Sequence, residues 1–277
     1  MTTIEQKINF FFKYRLGFLP KILSSNKKIL FYPQLPHHRT IIFKVCKQLG
    51  IKIVTENKDN INFVFFWDDK THSDEFELPE IKAKSINRNS TDISKEKVDK
   101  VFANVFGYDL SVDPLTYNGK CVIKSNENAQ HDGKLIECPV KVIKENVVYQ
   151  KIIDNIFDDE SVLDLRVPIL GNNIPFVYYK FKILGKRFTN DLFRAELHKT
   201  EDVFSAREIK NILTFAKEMK LDYGELDVLR DKNDYKIYIV DVNKTPWGPP
   251  ATLSKEDCAI AIKKMIGAFE KSFYTDY

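Results

Sequence analysis

The sequence predicts a chain of mixed α/β and α+β class. A small N-terminal α/β domain (1–88) precedes a larger unit (89–277) built on two antiparallel sheets, the first of which, about 110–150, is small enough to act as a mobile lid. Three observations predict this. Strand-like and helix-like runs alternate in the first third, three short β-like runs separated by polar turns follow, and two hairpins then flank an amphipathic helix.

In chain order, KKILFYPQLP (27–36) reads as a strand running into a loop, and HRTIIFKVCKQLG (38–50) as a helix stopped by Gly50. IKIVT and NINFVFFW supply two further strands. SINRNSTDISKEKVDKVFANVFG (85–107) passes from loop to helix, with Asp92 or Ser94 as the cap and Gly107 as the stop. GKCVIKSN (119–126), HDGKLIECPV (131–140) and NVVYQKII (146–153) are the lid strands. SVLDLRVPILGNNIPFVYYKFKIL (161–184) is a longer hairpin turning at Gly171, Asn172 and Asn173. Ser205 and Glu208 form a capping box ahead of an apolar face of Ala206, Ile209, Leu213, Ala216 and Met219. Ser254 and Asp257 open a second helix, with Ala259, Ile262, Met265, Ile266 and Phe269 along one side. Both helices are expected to back the second sheet.

Composition narrows the function classes. With 43% hydrophobic residues, 21 Phe and 12 Tyr in 277 residues, the chain can bury real cores. Its charge of +4 comes from 43 basic and 39 acidic residues that are mixed along the sequence, which argues against nucleic acid as a partner. Cys46, Cys121, Cys138 and Cys258 are far apart in sequence and form no CxxC pair, so neither a zinc site nor a disulfide framework is indicated, and a reducing cytoplasm is the simpler setting. The N-terminal Phe10, Phe11, Phe12, Phe18 and Leu19, set among Lys7, Lys13, Arg15 and Lys21, suit either peripheral contact with an anionic membrane or a helix packed on protein. That stretch is too short to span a bilayer.

The chemistry concentrates in LDYGELDVLRDKNDYKIYIVDVNKTPWGPP (221–250). Asp241 and Asn243, two apart on a strand, share a face, and a turn near Asp234 brings Asp227 opposite Asp241. Three oxygen-bearing side chains then converge as a hard cation such as Mg²⁺ requires. Asp231 and Asp234 read as turn formers, and capping of local backbone is the alternative for Asn243. Lys124 ends the apolar strand CVIK before the polar loop SNENAQHDG, where its ammonium can reach a phosphate and Gly133 permits a tight turn. A solvated edge lysine is the alternative for Lys124. Arg166 on DLRV and Arg187 in GKRFTN offer forked donors to phosphoryl or carboxylate oxygen, and a structural ion pair is the alternative for each.

In this order the motifs resemble the ATP-grasp superfamily over about residues 85–250. CVIKSNENAQHDG is similar to its phosphate-binding lysine and loop, VVYQKII to its nucleotide hinge, DLRV to its arginine-bearing strand, and LDYGELDVLRD with IVDVNKTP to its two-part metal motif. The resemblance implies ATP between a lid and a larger sheet. It implies phosphate contact by Lys124, adenine contact by Gln150 and the backbone of Lys151 and Ile152, and ribose contact by Asp158 or Asp159. It also implies Mg²⁺ on Asp227, Asp241 and Asn243, with Arg166 near the reacting phosphoryl group. Lys95, opening a helix, resembles a second nucleotide-contacting lysine, with a solvent-facing role as its alternative. The chain departs from the family in carrying Asp241 where Glu is common, and in lacking a glycine-rich loop.

The function so implied is an ATP- and Mg²⁺-dependent ligase joining a carboxylate to an amine through an acylphosphate, with Lys124, Arg166 and Arg187 stabilising charge. Endings like TPWGPP resemble members associated with polysaccharide biosynthesis, which points to a glycan-linked acceptor. A phosphotransferase and a noncatalytic nucleotide-binding scaffold are the alternatives.

Overall fold

The computed structural model describes residues 26–56, 60–73, 83–189 and 191–274. The aromatic and basic N-terminal stretch lies outside the described residues. Among those described, no helix is long and apolar enough to cross a membrane.

The first unit is a four-stranded parallel sheet. It contains β1 (Lys28–Pro33), β2 (Lys52–Val54), β3 (Phe63–Trp67) and β4 (Lys84–Ile86) in the order β2-β1-β3-β4. All five residues of β3 are buried, as expected of a parallel strand covered on both faces. Helix α1 (Ile41–Gln48) starts where Thr40 Oγ1 accepts from Phe43 N, and it buries Ile41, Ile42, Val45 and Cys46. Gly50, at φ 66°, follows its end. One expectation fails here: Ser85 and Ile86, read as loop, join Lys84 in pairing with Phe63–Phe65 as β4. Three residues, Lys-Ser-Ile, carry no period-2 signal, so this strand exists only because β3 templates it.

Helix α2 (Lys95–Phe106) is capped by Ser94, whose Oγ accepts from Lys97 N, and it ends at Gly107 in the left-handed region, φ 77°. The lid follows as β5 (Gly119–Ser125), β6 (Lys134–Cys138) and β7 (Val147–Gln150), antiparallel in the order β6-β5-β7. Its small core joins Cys121, Ile123, Cys138 and Tyr149. Two cysteines far apart in sequence thus meet in the lid, with Cys121 and Cys138 sulfurs 3.1 Å apart.

The large sheet contains β8 (Ser161–Leu170), β9 (Val177–Ile183), β10 (Leu192–His198), β11 (Tyr223–Arg230) and β12 (Ile237–Asn243), in the order β10-β9-β8-β11-β12 and antiparallel throughout. After a helical turn, α3 (Thr200–Val203), helix α4 (Ala206–Glu218) begins with the expected capping box between Ser205 and Glu208. Its buried face is Ile212, Phe215, Ala216 and Met219, while Ala206 is exposed and Leu213 half-buried. These side chains join Phe102 of α2 and the odd-numbered Leu165, Val167 and Ile169 of β8 in one core. Each fully buried Phe there contributes roughly 1.5–3 kcal/mol of transfer free energy.

The C-terminal helix α5 (Lys255–Phe269) does not join α4 behind the sheet. Its Ala261, Met265 and Phe269 pack on the other face, in a core shared with α1, β3, Phe176 and the residues Leu170, Tyr178 and Tyr223 of the large sheet. The small domain therefore covers part of the face that carries Arg166 and Asp227, and leaves the remainder to the lid.

Candidate active site

Strand register builds the site before any side chain is considered. Tyr178 on β9 lies opposite Arg166 on β8, Arg166 opposite Asp227 on β11, and Asp227 opposite Asp241 on β12. One row of four residues thus crosses four strands, and the next row places Glu225 opposite Asn243. A bulge follows Asp227, where its neighbour Val228 pairs with Ile239, leaving Val240 as the extra residue. The expected opposition of Asp227 and Asp241 is observed.

Within the row, Arg166 donates through Nε to Asp227 Oδ1 at 2.9 Å and through Nη2 to Asp227 Oδ2 at 3.0 Å, a forked pair. Its Nη1 stands 3.4 Å from Glu225 Oε2. Burial pushes the Asp227 carboxyl up, but Arg166 and Lys180 override this and hold it well below the usual carboxylate range. Burial raises the Asp241 carboxyl, with Lys95 opposing. Lys95 Nζ lies 3.8 Å from Asp241 Oδ1, an oxygen that is buried and lacks a hydrogen bond. Asn243 Oδ1 accepts from Thr245 N at 2.9 Å, so the side chain also caps its own loop. Asp231 and Asp234 accept from Asn233 N and Lys236 N, as turn formers do.

Two adjoining cavities open over this row. One, of about 150 Å³, is lined by Val122, Lys124, Gln150, Lys151, Ile153, Asn155, Asp164, Lys182, Arg187, Phe188, Asp227, Leu229 and Val240. The other, of about 120 Å³, is lined by Lys95, Lys124, residues 129–133, Phe188, Val240 and Asp241. Lys124, Phe188 and Val240 belong to both. Lys124 Nζ donates to Val240 O at 3.0 Å, joining the lid to β12, and burial lowers its ammonium to about 8. Gln150 donates to the buried Asp99 at 2.7 Å. Arg187 donates from Nη2 to Ile153 O and to Asn155 Oδ1, both at 2.7 Å, so its partners are neutral and the ion-pair alternative is not what is seen.

The loop between β5 and β6 is held from three sides. Lys95 Nζ donates to Glu127 O at 2.7 Å, Asn128 N to Thr71 Oγ1 at 2.9 Å, and Asn128 Nδ2 to Val242 O at 3.0 Å. Its positive-φ positions are Ala129 and His131. Gly133, read as a turn glycine, is not among them. A methyl group added at Gly133 would come within 2.8 Å of Phe188 Cδ1, so close approach by that ring accounts for the glycine.

The structure therefore brings Lys95, Lys124, Gln150, Lys151, Arg166, Arg187, Asp227 and Asp241 to one place. Ile152 is absent from the lining of both cavities, and Lys151 N is committed to Leu110 O at 2.9 Å. Asp158 also stands off the lining; its carboxylate accepts from Ser161 Oγ and Glu160 N in the turn before β8. Sequence reasoning passed over Asp99, Asn155, Lys182, Phe188 and Glu225, while an ion pair of Asp164 with a neighbour was expected and is formed with Lys182. Asp99 was findable four residues after Lys95 on one helix face, and Glu225 two before Asp227 on one strand face. Asn155 and Phe188 sit in loops, where no periodicity reports direction.

The donor set fits a hard cation. Among the described residues no group of three His, Cys, Asp or Glu side chains is arranged as a metal cage. Mg²⁺ commonly uses only one or two carboxylates together with phosphate and water, and Asp241 offers a buried oxygen without a hydrogen bond opposite Asp227.

No protein-family model and no curated protein sequence matches the chain. Solved structures do. The ATP-grasp ligase PsnB, complexed with minimal precursor, Mg and ADP, aligns with a TM-score of 0.57 at 11% identity, covering 89% of this chain and 99% of that one. The macrocyclase MdnC from Microcystis aeruginosa MRC, bound with precursor peptide MdnA, aligns at 0.52 and 11%, covering 90% and 100%. D-alanine–D-alanine ligase from Bacillus anthracis aligns at 0.55 and 14%, covering 90% and 98%. The architecture of this chain, from small parallel sheet through lid to five-stranded sheet, is the fold shared by these ATP-grasp ligases.

Proposed function

We propose that the chain is an ATP- and Mg²⁺-dependent ligase that condenses a carboxylate with an amine. One observation carries this reading. Three cationic side chains, Lys95, Lys124 and Arg187, line a cleft floored by Asp227 and Asp241, and a fourth, Arg166, pairs with Asp227. Clustered cations beside paired carboxylates suit a polyanion that arrives with its own divalent metal.

Asp227 and Asp241, with Asn243 beside them, would hold Mg²⁺, which supplies charge neutralisation at the nucleotide phosphates. Gln150 and Lys151 line the end of the cleft suited to adenine, and Lys124 and Lys95 the end suited to phosphate. Substrate carboxylate oxygen attacks the γ-phosphorus, the β,γ-bridging P–O bond breaks and ADP leaves. The amine then attacks the acyl carbon, a C–N bond forms, inorganic phosphate leaves and the nitrogen gives up a proton. Arg166 and Arg187 stabilise the charge that develops, and the lid excludes water from the activated acyl group. No enzyme nucleophile is required.

PsnB and MdnC were solved with precursor peptides, which makes peptide carboxylates the first substrates to try. The glycan-linked acceptor suggested by TPWGPP has exposed Trp247 as its one local feature. The noncatalytic binder is favoured by the occupation of both Asp227 oxygens by Arg166. Mg²⁺-dependent ADP release against peptides, amino acids, amines and sugar-linked acids, with mass spectrometry of each mixture, separates these readings. A condensed product supports the ligase, and nucleotide binding without turnover throughout the panel supports the binder.

A further inference from the structure

Arg166 and a cation compete for the carboxylate of Asp227. Nε and Nη2 of the guanidinium already occupy Oδ1 and Oδ2 at 2.9 and 3.0 Å, and two positive groups on one carboxylate repel. If Asp227 is a metal ligand, a second seat on the same face lets the guanidinium give way to the cation.

The face offers one. Glu225 is two residues before Asp227 on β11 and therefore on the same side of the sheet. It is only 4% exposed, and its Oε2 has no hydrogen bond, a costly condition for a carboxylate unless a cation is within reach. Arg166 Nη1, the nitrogen not used on Asp227, already stands 3.4 Å from that oxygen. The other carboxylates on this face have cations of their own: Asp241 has Lys95, and Asp164 has Lys182 at 2.7 Å.

We propose that Glu225 is a positioning residue that receives Arg166 when Asp227 turns to the metal, so that nucleotide-bound cation and guanidinium exchange partners along β11. This rests on the ATP and Mg²⁺ reading above. The exchange keeps every carboxylate paired and keeps Arg166 on the reacting face. Without Glu225, the guanidinium has only Asp227 to hold and competes with the cation for it.

Mn²⁺ is the probe, with free ion counted by electron paramagnetic resonance in the presence of a non-hydrolysable ATP analogue. Glu225→Gln is expected to weaken Mn²⁺ binding about tenfold, because the competing Arg166–Asp227 state becomes more populated. With the analogue at saturation for each variant, Arg166→Gln is expected to leave the Mn²⁺ affinity at least as high as wild type. The double variant should recover the affinity that Glu225→Gln lost, and Glu225→Asp should fall between wild type and Glu225→Gln. A Glu225→Gln affinity equal to wild type, or a double variant as weak as Glu225→Gln, overturns the exchange; should Glu225→Gln not fold, a Glu225→Asp affinity equal to wild type does so. Failure of the wild-type chain to bind Mn²⁺ with the analogue overturns the ATP reading itself, and the exchange with it.

Discussion

Gln150 donates a 2.7 Å hydrogen bond to the buried carboxylate of Asp99, tying the last lid strand to helix α2 at the wall of the cleft. Burial pushes the Asp99 carboxyl up to about 6 from its ordinary value of 3.8, against the opposing effect of Gln150 and the lysines Lys124 and Lys95. The native state therefore holds this proton more tightly than the unfolded chain does. The stability this contributes is fully present below pH 3.8 and is lost as pH rises through about 6. Asn keeps the acceptor for Gln150 and has no charge to bury. Asp99→Asn should match wild type near the acid end and exceed it at pH 8 by up to about 3 kcal/mol. Urea unfolding at several pH values measures the difference, and an advantage that does not grow with pH would sink the assignment.

Arg166 is the cation shared by Asp227 and Glu225, of which Glu225 is buried and Asp227 half-buried. Arg166→Met strands them together. Removing one partner of such a network costs about 3–5 kcal/mol. The Asp227 carboxyl is held low in the fold, so its contribution is complete at neutral pH and is lost as pH falls through its depressed value. The deficit of Arg166→Met should therefore be largest at pH 7 and narrow in acid, as read from denaturant midpoints at the two conditions.

Lys124→Ala removes an ammonium that lines both cavities. A charge-assisted contact to phosphate is worth about 1.5–3 kcal/mol, so the nucleotide dissociation constant should rise tenfold or more. Calorimetric titration with ATP and with adenosine distinguishes the causes: a phosphate contact weakens ATP and leaves adenosine unchanged, whereas equal loss for both would mean that the lid had shifted.

Much of this site was legible in the sequence because strands alternate strictly. Asp241 and Asn243 announce a shared face, and the hairpin between Leu226 and Val242 sets the register that faces Asp227 with Asp241. Helix limits were legible through Ser94, Gly107 and the Ser205–Glu208 box, all local chemistry. What stayed hidden depends on distant partners. β4 exists through β3, and α5 packs away from α4 because the small domain offers it a second apolar face. Arg166 could be placed on its strand, but whether it meets phosphate or Asp227 is decided by β11, with Asp227 61 residues on in sequence. The departure at Asp241 likewise gains a meaning only from Lys95, which reaches it from another domain element.

Gly133 and Phe188 provide a test of why the loop between β5 and β6 contains a glycine at all. Two causes predict different genetics. A glycine required by backbone conformation is replaced at a cost that no neighbour can relieve, whereas a glycine required by close approach is rescued by trimming the neighbour. Gly133 is not at positive φ, and an added methyl would meet the Phe188 ring at 2.8 Å. Phe188 lines both cavities, so a displaced ring changes the space within them. Gly133→Ala should lower stability by about 1–3 kcal/mol, as overpacking does, and weaken ATP binding. Adding Phe188→Leu should recover most of both losses. A double variant no better than Gly133→Ala alone would return the glycine to a backbone role.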